Sequence, residues 1–358
     1  MKHKLLAASV ASAFAMPAFA QTIPAEITIY GRVNVSAERI ETKNSNDPAV
    51  PNQSNYEFVD NSSRIGIRGN KDLIPGLKAL FQIESRVNLT DGGDVLTSRD
   101  SFAGLQGAFG TARLGRTIGP VYYATYDYIS MHNHDTGTSS DALLAGTVVG
   151  NQGFMNNTFW YTSPKLGPFT IDAAFSLLGE ERLAESVDQP RHLGLVAAYD
   201  QGPLHAAISY ANTKNDSDLD PAVGTIKPSD ATAFTIGGAY DFKFMVLGAL
   251  WEMAERDTLT GSIDSDYWRV AAMFPFGQHE LHLNYGLVDA DGDTGAQQWT
   301  VGYNYNITKT TKVYAFYTTV DNDNAGTFLM GGSTSTLPAT SPAGAQYTSI
   351  AVGFRHNF

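Results

Sequence analysis

Residues 299–307 read Trp-Thr-Val-Gly-Tyr-Asn-Tyr-Asn-Ile, and every second residue is apolar. Trp299, Val301, Tyr303, Tyr305 and Ile307 fall on one side of an extended chain, and Thr300, Gly302, Asn304 and Asn306 on the other. A period of two marks a strand with two unlike faces, because successive strand side chains point opposite ways. The rhythm recurs at 169–177, where Phe169, Ile171, Ala173, Phe175 and Leu177 alternate with Thr170, Asp172, Ala174 and Ser176. It recurs at 281–287 and again at the end of the chain, through Ile350, Val352, Phe354 and Phe358.

Followed along the chain, this rhythm predicts sixteen strands, near 27–39, 62–70, 76–88, 99–107, 110–117, 155–163, 167–178, 190–200, 203–212, 230–241, 243–256, 264–274, 277–288, 296–306, 310–321 and 346–358. Connections after even-numbered strands are tight, and those after odd-numbered strands are generally longer. The longest are 40–61, 118–154, 213–229 and 322–345. This is an up-and-down antiparallel sheet, and an even strand count lets it close with both termini at the short-turn end. No window approaches the ~18 consecutive apolar residues of a spanning helix.

Sixteen strands enclose too wide a space for side chains to fill. The apolar face is therefore expected outside, against lipid, and the polar face around a column of water. Short turns at one end and long loops at the other are the pattern of outer-membrane barrels. Closure meets the demand of lipid that every backbone N–H and C=O be paired. Tyr30, Tyr161, Tyr199, Tyr210, Tyr240, Trp251, Trp268 and Trp299 lie near predicted strand ends and fit interfacial girdles.

Composition narrows the rest. The 358 residues include 24 Lys+Arg, 36 Asp+Glu and no Cys, for a formal charge of −12. Without cysteine there is no disulfide scaffold, thiolate metal site or Cys nucleophile. The acidic balance argues against a nucleic-acid partner. Met1-Lys2-His3-Lys4, an apolar stretch from Leu5 to Met16, and Ala18-Phe19-Ala20 make a secretory signal peptide over 1–20, with one barrel domain over 21–358.

Several segments resemble the trimeric Gram-negative general porins. Ile27-Thr-Ile-Tyr-Gly-Arg32 is similar to that family's first strand. Ser63-Arg-Ile-Gly-Ile-Arg-Gly-Asn70 and Gly76-Leu-Lys-Ala-Leu-Phe-Gln-Ile-Glu84 are similar to its second and third. Arg99-Asp-Ser-Phe-Ala-Gly-Leu-Gln-Gly107 with Phe109-Gly-Thr-Ala-Arg-Leu-Gly-Arg116 resembles its most recognisable block, and Val352-Gly-Phe-Arg-His-Asn-Phe358 its terminal aromatic strand. The resemblance implies a homotrimer in outer-membrane lipid and lipopolysaccharide, with the third external loop folded into each barrel. It also implies recognition of the Phe358 strand by the outer-membrane assembly machinery, and passage of small hydrophilic solutes without a cofactor.

Alternation assigns the lumen residues. With Ile29, Val33 and Val35 outward, Tyr30, Arg32 and Asn34 face in; with Ile65 and Ile67 outward, Arg64 and Arg68 face in. Phe81, Ile83 and Val87 outward leave Lys78, Gln82, Glu84 and Arg86 inside, and Phe102 outward leaves Arg99 inside. Arginine on the lipid face at mid-depth costs ~2–4 kcal/mol. By resemblance, Arg64 and Arg99 match the basic cluster of the constriction, and Arg116 matches a further family arginine. Asp127, Asp135 and Asp141 in the third loop stand opposite, so a field crosses the eyelet. Relatives carry inward arginines where this chain has Phe154 and Trp160, which predicts weak rather than strong anion selectivity and opens a track for ring-shaped solutes.

Other chemistry finds less support. His132-x-His134 in the third loop reads as polar loop, and Asp289-x-Asp291-x-Asp293 lacks the Gly and bidentate Glu of a calcium loop. No phosphate-binding loop or G-x-S-x-G is present. The main alternative to a general channel is one specific for a sugar, organic acid or aromatic solute, with a barrel enzyme more remote.

Overall fold

The computed structural model describes residues 26–46, 51–90, 96–129, 142–143, 154–177, 190–214, 218–220, 225–227, 230–258, 261–330 and 341–358. The strands in order are β1 (Glu26–Lys43), β2 (Gln53–Asp60), β3 (Arg64–Ile74), β4 (Leu77–Val87), β5 (Leu96–Gly107), β6 (Gly110–Thr117), β7 (Met155–Thr162), β8 (Phe169–Leu177), β9 (Arg191–Gln201), β10 (Leu204–Lys214), β11 (Asp218–Asp220), β12 (Thr225–Lys227), β13 (Ala231–Asp241), β14 (Val246–Thr258), β15 (Gly261–Phe276), β16 (His279–Ala290), β17 (Ala296–Asn306), β18 (Thr311–Asn322) and β19 (Gln346–Asn357). The β11–β12 pair is a small separate ribbon. The rest form one antiparallel sheet in which strands pair in sequence order, save that β1 pairs with both β2 and β3 and β10 pairs with β13.

The sheet closes where β1 pairs with β19, from Arg32↔Asn357 to Lys43↔Gln346. At the seam Gly31 and Phe358 exchange N–H···O bonds of 3.0 and 3.1 Å. The Phe358 ring lies over Gly31, where a Cβ would sit 2.3 Å from the ring. Closure joins the first strand to the last, and with β2 and β3 counted as two lengths of one strand the barrel has sixteen.

That second strand departs from expectation. β1 pairs with β3 over Glu26–Arg32 and with β2 over Val35–Thr42. The sheet thus runs on through most of the predicted 40–61 connection. Sequence alternation missed 53–60 because only Tyr56 and Phe58 signal its outer face, both more than three-quarters exposed. Between the two lengths Ser62 adopts φ 59°. A polar knot holds this bulge. Asn61 N–H donates to Asn34 O at 2.8 Å, Asn34 N–H to Ser63 Oγ at 2.9 Å, and Tyr314 Oη to Asn34 Oδ1 at 2.9 Å. Asn34, Asp60 and Asn61 are fully buried.

Large apolar side chains cover the outside: Ile29, Leu114, Ile171, Leu283, Val301 and Val352 are each more than 40 % exposed. Aromatic groups band both ends. Phe169–Tyr199 and Tyr240–Phe242 lie at the short-turn end, and Trp251–Trp268 and Tyr285–Trp299 toward the long loops, with ring centroids 4.3–5.5 Å apart. Tyr30 is an exception to the predicted girdle. It faces inward, crosses Gly66 and donates to Glu84 Oε2 at 2.9 Å.

Leu283 pairs with Val301 on the outer face at mid-strand. Leu283→Arg is expected to lower the stability of vesicle-embedded protein by about 2–4 kcal/mol, measured by equilibrium unfolding in denaturant. A change within about 0.5 kcal/mol, as at an ordinary wet surface, would show that this face does not meet lipid.

Candidate functional site

The inner wall has two unlike halves. Along β9, β10, β13, β14, β15 and β16 the inward residues are mostly small, among them Gly194, Ala198, Ala207, Ala211, Ala233, Gly237 and Ala271. A wall of such short side chains can be approached closely. The third external connection takes that space: a wide helical turn, Tyr122–Tyr126, runs into a short α-turn, Asp127–Ile129, inside the barrel. Val121, Tyr126, Ile129 and Leu143 are almost fully buried against the wall.

Three glycines serve as sockets. A Cβ on Gly194 would lie 3.2 Å from Val121 Cγ2, one on Gly237 2.8 Å from Ile129 Cδ1, and one on Gly286 3.3 Å from Leu143 Cδ1. Polar contacts fix the register of the inserted segment. Tyr126 stacks on Tyr267 and its hydroxyl donates to the buried Glu252 carboxylate. His205 Nε2 lies 2.8 Å from Ala124 O, its other nitrogen contacts Asp200 at 2.7 Å, and Tyr128 stacks on its ring. Tyr123 donates to the Asp100 carboxylate of the adjoining wall, whose other oxygen accepts from the Ile118 N–H at 3.1 Å.

The other half of the wall is basic. Arg32, Arg64 and Arg86 are direct register partners on β1, β3 and β4, so three arginine side chains leave adjacent strands on the same face. Like charges placed opposite each other in a sheet are destabilising. Glu84, beside them, accepts from Arg99 Nε at 2.6 Å and from Tyr30, and lies 3.7 Å from Arg64. Arg32 Nε donates to the neutral amide of Asn357 at 3.1 Å.

Arg99 faces inward for a reason other than parity. The β4–β5 register shifts between Ile83 and Ser85, so Arg99 and Asp100 together oppose Glu84. Past the shift Phe102 pairs with inward Gln82 and faces in, against the expectation that it points to lipid. Simple alternation, carried across this bulge, rested the Arg99 assignment on an outward Phe102 that the register does not keep.

Among the other sequence candidates, Arg68 lies over the Tyr30 ring at 5.1 Å, and Lys78 sits 3.9 Å from exposed Asp72. Asp127 is exposed on the inserted segment. Asp135 and Asp141 lie outside the described residues, as do His132 and His134. Phe154 lies within 5.0 Å of Arg99 and 5.3 Å of Arg116. Trp160 faces in, paired with Arg113.

Sequence reading passed over further cations on this wall. Arg113 stacks on Trp160 at 4.4 Å. Lys312 and Arg355 are register partners on β18 and β19, and Arg355 in turn partners Asn34 of β1. Lys312 is 3.6 Å from Glu280, which also accepts from Asn304 and Asn306 at 2.7 Å. Outward Leu114 was the signal that could have placed Arg113 inside. From β18 through β6, inward basic residues thus occur on one continuous stretch of wall, facing the segment seated on the other.

A family model described as Gram-negative porin matches residues 7–325. Among curated proteins, the chain is 28 % identical to outer membrane porin protein 32 of Delftia acidovorans and 25 % identical to an outer membrane porin protein of Bordetella pertussis, each alignment spanning all of both chains. Among solved structures, an anion-selective porin from Comamonas acidovorans superposes with a TM-score of 0.75 at 26 % identity, over 94 % of this chain and all of that one. A loop-deleted OmpT of Vibrio cholerae, 17 % identical over 93 % of this chain and 99 % of its own, shares the fold with a TM-score of 0.65.

Ile129→Asp puts a carboxylate into the apolar socket at Gly237, a burial the site does not compensate. The expected outcome is release of the inserted segment, seen as faster proteolysis within 118–154 and a larger single-channel conductance. Unchanged proteolysis and conductance would show that this socket does not hold the constriction.

Proposed function

Since the chain belongs to the Gram-negative porin family, we propose that its outer-membrane channel passes small hydrophilic solutes by diffusion with a preference for anions. The outer-membrane location and the channel class follow from the relatives. The family and its relatives are channels rather than enzymes.

The observation that carries the preference is the row Arg32–Arg64–Arg86, three arginines in direct register on adjacent strands, with Glu84 beside them. A fold selected only for stability gains nothing from that row; a pore gains a positive potential at its wall, which raises the local concentration of anions. The weak selectivity expected from sequence rested on Phe154 and Trp160 standing in for arginines. Both instead lie against arginines, and Arg113, Lys312 and Arg355 add charge that reading had not counted. The anion selectivity named for the Comamonas acidovorans structure supports the same direction.

Arg64 and Arg99 carry the constriction on this reading, with Arg32, Arg86, Arg68 and Lys78 extending the basic wall. Glu84 holds Arg64 and Arg99 in place, and Asp127, Asp135 and Asp141 supply the opposing charge. The protomer works within a homotrimer in outer-membrane lipid and lipopolysaccharide. Residues 1–20 are removed on export, and the assembly machinery reads the Phe358 strand.

In planar bilayers under a potassium chloride gradient, the reversal potential is expected to show chloride passing more readily than potassium. Arg64→Gln with Arg99→Gln is expected to shift it toward cations, and Glu84→Gln further toward anions. A wild-type potential at or beyond zero in the cation direction would overturn the preference.

A further inference from the structure

Below the arginine row the basic wall holds a recess of ≈ 320 Å³. It lies in the half of the barrel nearest the short turns, and Arg68, Lys78, Phe102 and Arg113 line it. Three cations converge there, whereas the one carboxylate in the lining, Glu26, accepts from Asn70 at 3.4 Å. The exposed Asp72, 3.9 Å from Lys78, offsets little, because water screens an ion pair so open to solvent.

The cations sit among flat apolar surfaces. Arg113 lies over Trp160 at 4.4 Å and over Phe102 at 5.7 Å, and one of its terminal nitrogens donates to Thr162 Oγ1 at 3.1 Å. Trp160 Nε1 donates to Asp172 at 2.8 Å, and the Trp160 ring is stacked 6.1 Å from Tyr123 of the inserted segment. Tyr123, Trp160, Arg113 and Phe102 thus form a continuous path from the constriction into the recess.

We infer that this recess is a subsite for monocyclic aromatic carboxylates, reached along the Tyr123–Trp160–Arg113–Phe102 path. A carboxylate meets Arg68 and Lys78, and its ring meets the Phe102 face. An aliphatic acid of the same charge lacks the ring contact, and a neutral ring lacks the cations. The volume is at the low end of the ~300–1,000 Å³ of small-molecule sites, which suits one ring rather than two. The inference rests on the channel reading above and adds a solute class to it.

Single-channel currents of the purified wild-type protein in planar bilayers, with benzoate, acetate or benzyl alcohol added, test it. Benzoate is expected to interrupt the current at concentrations about tenfold below acetate, the factor a single aromatic contact supplies. Benzyl alcohol is expected to leave the current unaffected. Phe102→Leu is expected to abolish benzoate's advantage over acetate, and Arg68→Gln with Lys78→Gln to weaken block by both acids. Equal block by benzoate and acetate, or block by benzyl alcohol matching that by benzoate, overturns the subsite and leaves the channel standing. Absence of any conductance removes the channel reading and the subsite with it. The wild-type comparison decides even where a variant fails to fold.

Discussion

Inside a bilayer no water is available to a stray backbone N–H or C=O, and each one left unpaired costs several kcal/mol. That single constraint organises the molecule. It requires the β1–β19 seam, where Gly31 and Phe358 exchange backbone bonds. It turns the apolar residues of a period-two sequence outward, and it leaves an interior that sixteen strands cannot fill with their own side chains.

The interior is then divided by side-chain size and charge. Gly194, Gly237 and Gly286 leave sockets that Val121, Ile129 and Leu143 occupy, so one half of the wall becomes a seat for the third connection. The opposite half keeps long basic side chains and stays open. The two halves depend on each other: without the seated segment the basic row would face a wide vestibule and act weakly across it, since potentials between exposed charges decay over about 8–10 Å in salt. Narrowing brings the solute within reach of Arg64 and Arg99.

Much of this was legible in the sequence. Sixteen strands and their tight turns followed from alternation, because a lipid face and a water face differ in kind at every step. What alternation could not give was any place where the count slips. The β4–β5 shift put Arg99 and Asp100 opposite one residue and turned Phe102 inward, and the Ser62 bulge hid the upper length of the second strand. The glycine sockets were also illegible, since a small inward residue looks alike whether it faces water or a packed loop. The nearness of Lys312 and Arg355 to Arg32 exists only after closure joins the chain's two ends.

The central claim is that polar faces border continuous water while their neighbours in sequence border lipid. The chain has no cysteine, so single cysteines can map both faces in the vesicle-embedded protein with a charged, membrane-impermeant thiol reagent. Cysteines replacing Arg68, Gln82 and Thr170 are predicted to react, and those replacing Ile67, Ile83 and Ile171 to stay protected. Equal labelling of the two sets, or labelling of the second set alone, would contradict the account.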